Sequence, residues 1–270
     1  MKPLKVGVIG LGAIGSRLVE ILSREFQSEA RIDYLCDLKK DRIRGIQRKW
    51  VPKSKAVSWP SLVTQSDLII ETASQEIALP IAKKALQLDK QVLILSVGGL
   101  LPWNGLSLIL NKTKGRLWIP SGALAGVDGL LAASQGTIRR VTLTTRKPLS
   151  SLEGAPYLQK KRIRLTAIKE PTLIFEGDAL EATRAFPKNI NVAATLSLAG
   201  IGPQKTKVRI FASPTYQRNQ HEVEIEGNFG VIRTQVENLP SPRNPKTSEL
   251  AVLSALATLK KIFGRVSIGT

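Results

Sequence analysis

Apolar and polar positions divide the chain into two halves with different rhythms. In the first 120 residues, short strand-like segments rich in apolar residues alternate with stretches whose apolar residues recur every three or four positions. The segments are Val6 to Ile9, Ile32 to Asp37, Asp67 to Ala73, Gln91 to Val97 and Arg116 to Pro120. Strands covered on both faces read this way, and the periodic stretches between them, such as Ile77 to Leu88 and Leu106 to Asn111, read as crossover helices. About five parallel strands in a doubly wound α/β sheet are expected. The second half alternates residue by residue at Val141 to Arg146, Lys207 to Ala212, His221 to Ile225 and Val231 to Val236, with Gly227 and Gly230 at a turn. Period-two strands in succession predict a largely antiparallel sheet covered on one face. Helical stretches Asp178 to Ala185 and Ile190 to Ala199 interrupt it.

A last helix, Thr247 to Phe263, follows a linker at Pro240 to Pro245 and carries Leu250, Leu253, Leu256 and Leu259 on one face. The expected organisation is therefore a nucleotide-binding domain at 1–120, a second α/β domain at 121–240, and a C-terminal helix within 241–270 that packs back on the first domain.

The first apolar run meets a glycine pattern. Lys5 to Gly15 reads KVGVIGLGAIG, so Gly10, Gly12 and Gly15 have the spacing G-x-G-x-x-G between a strand and an amphipathic helix. In that context the first glycine makes the tight turn, the second lets a pyrophosphate reach the backbone, and the third lets helix and strand pack closely. Ala13 and Ile14 open the helix, whose free N–H groups attract phosphate. Asp37 ends the second strand about twenty residues on, where an acid binds the ribose hydroxyls. It would repel a 2′-phosphate, while Lys39, Lys40 or Arg42 could pair with one. The sequence points to NAD and leaves NADP open. Ligands bind at the C-terminal ends of such strands, so Ala73, Ser74, Ser96 and the Ser121-Gly122-Ala123 turn should line the cleft.

Composition narrows the class. The chain has 270 residues, 43% of them hydrophobic, enough to bury a sizeable core. No apolar run reaches the length of a membrane span. Met1-Lys2-Pro3 leads directly into the first strand, so no leader and a cytoplasmic location are expected. One cysteine, Cys36, excludes an intramolecular disulfide, and with a single histidine there is no zinc-type ligand cluster. A net charge of +19 first suggests nucleic acid. The excess is spread over both halves, and few aromatic residues are available to stack on bases, so no specific nucleic acid partner is expected.

Two places could carry chemistry. His221 is the one side chain whose ordinary pKa lies near neutrality, and Asn219, two residues before it, shares its side of the strand if the strand has begun. An inert histidine at a strand start is the alternative. Phe186-Pro187-Lys188-Asn189-Ile190-Asn191 brings two asparagines to the opening of an apolar helix. One serves as a cap, and the other could hold the nicotinamide carboxamide or the substrate.

Several ordered stretches resemble the L-aspartate dehydrogenase family. They are GLGAIG at 10–15, SVGGL at 96–100, IPSGALAGVDGL at 119–130, TLTTRKPLSSLEGAPY at 142–157, IFEGDALEA at 174–182, FPKNINVAATLSLAGIG at 186–202, RNQHEVEIEGNFG at 218–230 and ENLPSPRNPKTSELAVLSALATL at 237–259. The resemblance implies a homodimer that oxidises L-aspartate to iminoaspartate with NAD or NADP, feeding NAD biosynthesis. It maps the family's catalytic histidine onto His221, a cofactor-contacting alanine onto Ala123, and a cofactor-contacting asparagine onto Asn189 or Asn191. Where the family's strand before the histidine often ends Asp-Pro, this chain has Ser213-Pro214. If that acid orients the histidine, its absence lowers the imidazole pKa from the ordinary ~6.5. A dicarboxylate substrate needs cations, for which Arg146-Lys147 and Lys246 are candidates, with Asn219 and Thr247 beside them. Other readings are a dehydrogenase of the same fold acting on another small amino or keto acid, and a catalytically silent NAD-binding sensor.

Overall fold

The computed structural model describes residues 2–102, 105–187, 191–241 and 244–270, without the side chains of 107 and 244–247. The chain forms two compact units, residues 1–120 with 255–265, and residues 121–254 with 266–270.

Unit 1 runs β1 (Leu4–Ile9), α1 (Ala13–Glu25), β2 (Ala30–Cys36), α2 (Lys40–Lys49), β3 (Lys55–Ala56), α3 (Trp59–Gln65), β4 (Leu68–Glu71), α4 (Gln75–Gln87), β5 (Gln91–Ile94), α5 (Leu106–Leu110) and β6 (Arg116–Trp118). All its strands are parallel, in the order β3-β2-β1-β4-β5-β6. The order reverses between β1 and its neighbours, the point at which a doubly wound sheet binds nucleotide. Val6, Val8, Leu35, Leu68, Ile69, Ile70, Val92 and Leu93 are fully buried, as continuous apolar strands with helices on both faces must be. The sheet has six strands rather than five. The additional one, β3, is a two-residue edge strand of exposed residues, too short and polar to show periodicity.

Unit 2 contains α6 (Val127–Ala133), β7 (Ile138–Pro148), α7 (Pro156–Lys160), β8 (Thr172–Asp178), α8 (Ala179–Ala185), α9 (Asn191–Ala199), β9 (Thr206–Ser213), β10 (Asn219–Gly227), β11 (Gly230–Asn238), β12 (Pro240–Ser241) and β13 (Asn244–Ser248). Its main sheet has the order β11-β10-β7-β9-β8, with only the β7–β9 pair parallel. One face carries Val141, Leu143, Val208, Ile210, Val223 and Ile225 into a core shared with Ala182, Phe186, Ala193 and Leu196 of the helical segments. The other carries charge pairs, among them Arg140–Glu224, Arg233–Glu224 and Arg146–Glu222. Asp178 caps α8 with a reciprocal Glu181 bond, which places the helix start one residue after the sequence estimate.

Two expectations need correction. The Pro240–Pro245 segment is not a free linker, because β12 and β13 pair antiparallel across it. The last helix, α10 (Glu249–Phe263), begins in unit 2 and ends in unit 1. Its buried residues are Val252, Ala255 and Leu259, while Leu253 is exposed. A strict three-residue spacing drifts around a 3.6-residue helix, so the four leucines cannot share one face. Within unit 1, Phe263 packs on Phe26 with ring centroids 5.6 Å apart.

Candidate active site

In unit 1 the turn after β1 is built for a close approach. Gly10 has φ +89°, and a Cβ there would lie 2.7 Å from the backbone of Thr72 and Ala73. Both constraints select glycine. Gly15 faces the Gly10 carbonyl and Thr72 Oγ1 so closely that no side chain fits. Gly12 is different. It caps α1 in extended geometry, and a Cβ there would meet no atom within 4 Å. Nothing in the protein demands glycine at that position, and the space beside it stays open to a ligand. The N–H groups of the first helical turn, from Ala13 and Ile14 onward, precede the first intrahelical bond, Ser16 N–H to the Gly12 carbonyl. An open cradle over a helix N-terminus fits a dinucleotide pyrophosphate.

Asp37 closes the turn from the β2 side. Its Oδ2 accepts from the Leu11 N–H at 2.7 Å and its Oδ1 from the Lys39 N–H at 2.7 Å. Each carboxylate oxygen keeps a second lone pair for a ribose hydroxyl. Arg42 lies 3.6 Å from the same carboxylate and is engaged there, so Lys39 and Lys40, both exposed, are the cations left for a 2′-phosphate.

Ala73 and Ser74 follow β4 under control of a group that the sequence reading passed over. Glu71 is fully buried. Its Oε1 accepts from Ala73 N–H at 2.7 Å, Ser74 N–H at 3.1 Å and Ser96 Oγ at 2.9 Å, and its Oε2 from Ser96 N–H at 3.0 Å. Burial raises its pKa against the pull of these four bonds. Glu71 thereby ties the loop after β4 to the loop after β5. Unit 1 thus gathers Gly10, Gly12, Ala13, Ile14, Gly15, Asp37, Ala73 and Ser74 around one strand-end region.

Unit 2 holds the titratable cluster. His221 is the third residue of β10 and is paired in register with Thr145 of β7. It is 3% exposed. The expected strand-end imidazole is therefore one step inside the sheet. Because β10 begins at Asn219, that asparagine does share the face. His221 Nδ1 lies 3.0 Å from Thr145 Oγ1. When Nδ1 carries the proton and donates to that hydroxyl, Nε2 is left with its lone pair free. Lys147, two residues beyond Thr145 on the same face, is 3% exposed. Its ammonium donates to Asn219 Oδ1 at 3.4 Å. Burial lowers its pKa to about 8. Burial first, and the Lys147 charge second, lower the His221 pKa to about 3. The imidazole is therefore neutral near pH 7, its ionisation moved well below the ordinary value near 6.5.

Ser213, at the position of the family's frequent acid, is buried, and its hydroxyl is engaged with Thr215 at 2.7 Å. The orienting partner of His221 is Thr145, a residue that the alternating strand gave no reason to single out. Arg146 points to the opposite face and pairs with Glu222 at 2.8 Å, so of the Arg146-Lys147 pair only the lysine joins the cluster. Asn238, opposite Asn219 in the β10–β11 pairing, donates from Nδ2 to the Ala123 carbonyl at 3.2 Å. Its buried Oδ1 has no hydrogen-bond partner among the described residues. This links the Ser121–Gly126 turn, which contains Ala123, to the same sheet. Asn191 opens α9. Asn189 lies outside the described residues, as do the side chains of Lys246 and Thr247 in β13. Among the described residues no group of His, Cys, Asp or Glu could hold a metal ion.

Comparison with known proteins matches both units. Residues 128–262 fit the family model described as aspartate dehydrogenase, C-terminal, and residues 10–115 fit homoserine dehydrogenase, NAD binding domain. The chain is 45% identical to the L-aspartate dehydrogenase of Methanosarcina barkeri, covering 99% of this chain and 100% of that one. It is 35% identical to L-aspartate dehydrogenase 3 of Bordetella bronchiseptica, covering 99% and 98%. Among solved structures, the aspartate dehydrogenase of Thermotoga maritima superposes with a TM-score of 0.77 at 27% identity, over 98% of this chain and 99% of that one.

Proposed function

The chain belongs to the L-aspartate dehydrogenase family, and from that premise we propose that it oxidises L-aspartate to iminoaspartate with NAD or NADP, and in reverse aminates oxaloacetate reductively. The observation that carries the reading in this chain's own residues is His221. It is the only histidine, burial holds it neutral, and its Nδ1 lies 3.0 Å from Thr145 Oγ1, a bond that leaves the Nε2 lone pair available when Nδ1 carries the proton.

The bound nicotinamide supplies the acceptor for the Cα hydrogen and its electron pair. The protein has to do the rest. As the Cα–H bond breaks, the amine lone pair becomes the second bond to Cα, and one N–H proton must leave. His221 Nε2 takes it, with the Nδ1–H bond to Thr145 fixing the tautomer. In the reverse direction the same imidazolium returns the proton. A pKa of about 3 makes a weak base in the empty protein; a dicarboxylate bound nearby raises it by adding negative charge. Gly10, Gly12, Ala13, Ile14 and Gly15 hold the pyrophosphate, Asp37 takes the ribose hydroxyls, and Ala73 and Ser74, set by Glu71, line the cofactor's path. Ala123 and one of Asn189 and Asn191 are assigned to the cofactor, and Asn219, Lys246 and Thr247 to the substrate.

A homodimer in the cytoplasm completes the reading, with sedimentation of the purified protein as the test of the dimer. Among the described residues no helix is long and apolar enough to cross a membrane. The activity itself is tested by following nicotinamide absorbance with NAD and NADP against a panel of amino acids, and in reverse with oxaloacetate and ammonia. L-aspartate should be the preferred substrate. A different amino acid turned over tenfold faster, or cofactor binding without turnover of any, would refute the reading.

A further inference from the structure

Lys147 is a buried cation with no counter-charge among the described residues. Its neighbours on the inward face are Thr145 on its own strand, Ala212 on β9, and Asn219 and His221 on β10. None of these is an acid. The nearest charged residues in sequence and register, Arg146 and Glu222, lie on the opposite face and pair with each other. Among the described residues no carboxylate pairs with Lys147, and burial alone accounts for its lowered pKa. A buried ammonium without a counter-ion is costly, and proteins keep one only where something else is served. The amide of Asn219 holds it in place without cancelling its charge.

We propose that the Lys147 ammonium, steadied by Asn219 on the inward face of the unit 2 sheet, is the group that receives a carboxylate of the substrate and so selects an acidic amino acid. The inference rests on the dehydrogenase reading and deepens it by assigning the anion-recognising residue. Asn238 Oδ1 on the next strand, without a partner among the described residues, supplies an acceptor of the kind that the substrate amine needs. Lys147 also acts on His221. Its charge helps to keep the imidazole unprotonated. A carboxylate on Lys147 cancels that repulsion, and His221 gains basicity when the molecule that must lose a proton has arrived.

The test uses succinate, a dicarboxylate without the amine, titrated calorimetrically into the NADH-loaded protein. The Lys147→Met variant should bind succinate about 10- to 100-fold more weakly, the loss of one charge-assisted hydrogen bond, with unchanged NADH affinity. Its thermal midpoint should equal or exceed that of the wild type, because an uncompensated buried charge is removed. Lys147→Arg should bind better than the Met variant because it keeps the charge. Near a pH of about 9, where Lys147 is mostly neutral in the empty protein, wild-type binding should take up a proton and Met-variant binding should not. Wild-type affinity and proton uptake in the Met variant overturn the inference, as do Met and Arg variants of equal weakness. A wild-type protein that oxidises L-aspartate and binds succinate while the Met variant does likewise overturns the inference alone. A wild-type protein that does neither overturns the dehydrogenase reading and the inference with it.

Discussion

Replacing His221 by asparagine should change how stability responds to acid, in an amount that follows from burial. In the folded protein the imidazole stays neutral down to a pKa of about 3. In the unfolded chain it takes a proton near ~6.5. Between these values the unfolded state binds more protons, so stability is lost as pH falls, at about 1.4 kcal/mol per unit. From pH 7 to pH 5 the contribution is about 2 kcal/mol, and across the whole window about 5 kcal/mol. A domain is stable by only about 5–15 kcal/mol, so the first figure is measurable and the second is severe. The carboxylates titrate alike in both proteins and cancel in the comparison. Urea unfolding at the two pH values, followed for wild type and His221→Asn, should show the wild type losing about 2 kcal/mol more than the variant. Equal losses would mean that the folded imidazole protonates normally, and the account of a buried, neutral His221 beside Lys147 would be wrong.

Three further predictions concern unit 1. Gly12→Val should leave the protein folded, since the backbone is extended there and a Cβ meets nothing, yet calorimetric titration should find no cofactor binding; a folded variant with wild-type affinity would remove the glycine turn from the account. Asp37→Ala should lower kcat/KM with NAD more than with NADP, shifting the ratio by about 10-fold or more as hydrogen bonds to the ribose are lost. Because loosening of the Leu11 loop affects both cofactors alike, an unchanged ratio would show that Asp37 does not touch the ribose. Glu71→Gln presents an amide N–H to at least one backbone donor and should cost about 1–3 kcal/mol of unfolding free energy and weaken NAD binding; a variant with wild-type denaturant midpoint and affinity would contradict the clamp between Ser96 and the Ala73–Ser74 loop.

Much of this architecture was readable from the chain because local signals agreed with the tertiary ones. The apolar runs of β1, β4 and β5 are buried on both faces, so they need no alternation to be recognised. β10 and β11 alternate because one face meets the core and the other meets ion pairs such as Arg233–Glu224. What stayed hidden had no local signature. β3 is two exposed residues held by pairing to Tyr34 and Leu35. β8 follows a polar loop, and its run from Thr172 to Asp178 shows no clear alternation of its own before the capped helix begins. The site shows the same division. The glycines, Asp37 and His221 carry chemistry in their residue types and spacing. Thr145 is one of three threonines in a five-residue stretch, and only its register opposite His221 singles it out. Lys147 looks no different from Arg146 in sequence. The pleat sends one to solvent-side Glu222 and the other into the protein, and that single alternation separates a surface charge from a buried one. Glu71 is an acid at the end of an apolar strand, and its role depends on the N–H and hydroxyl of Ser96, 25 residues away.

The most direct test of the central claim is steady-state turnover of L-aspartate by His221→Ala together with its cofactor affinity. Loss of the one residue that accepts the amine proton should lower kcat by about 10²–10⁴-fold while leaving the NAD dissociation constant unchanged. An alanine variant that turns over L-aspartate at close to the wild-type rate would contradict the account.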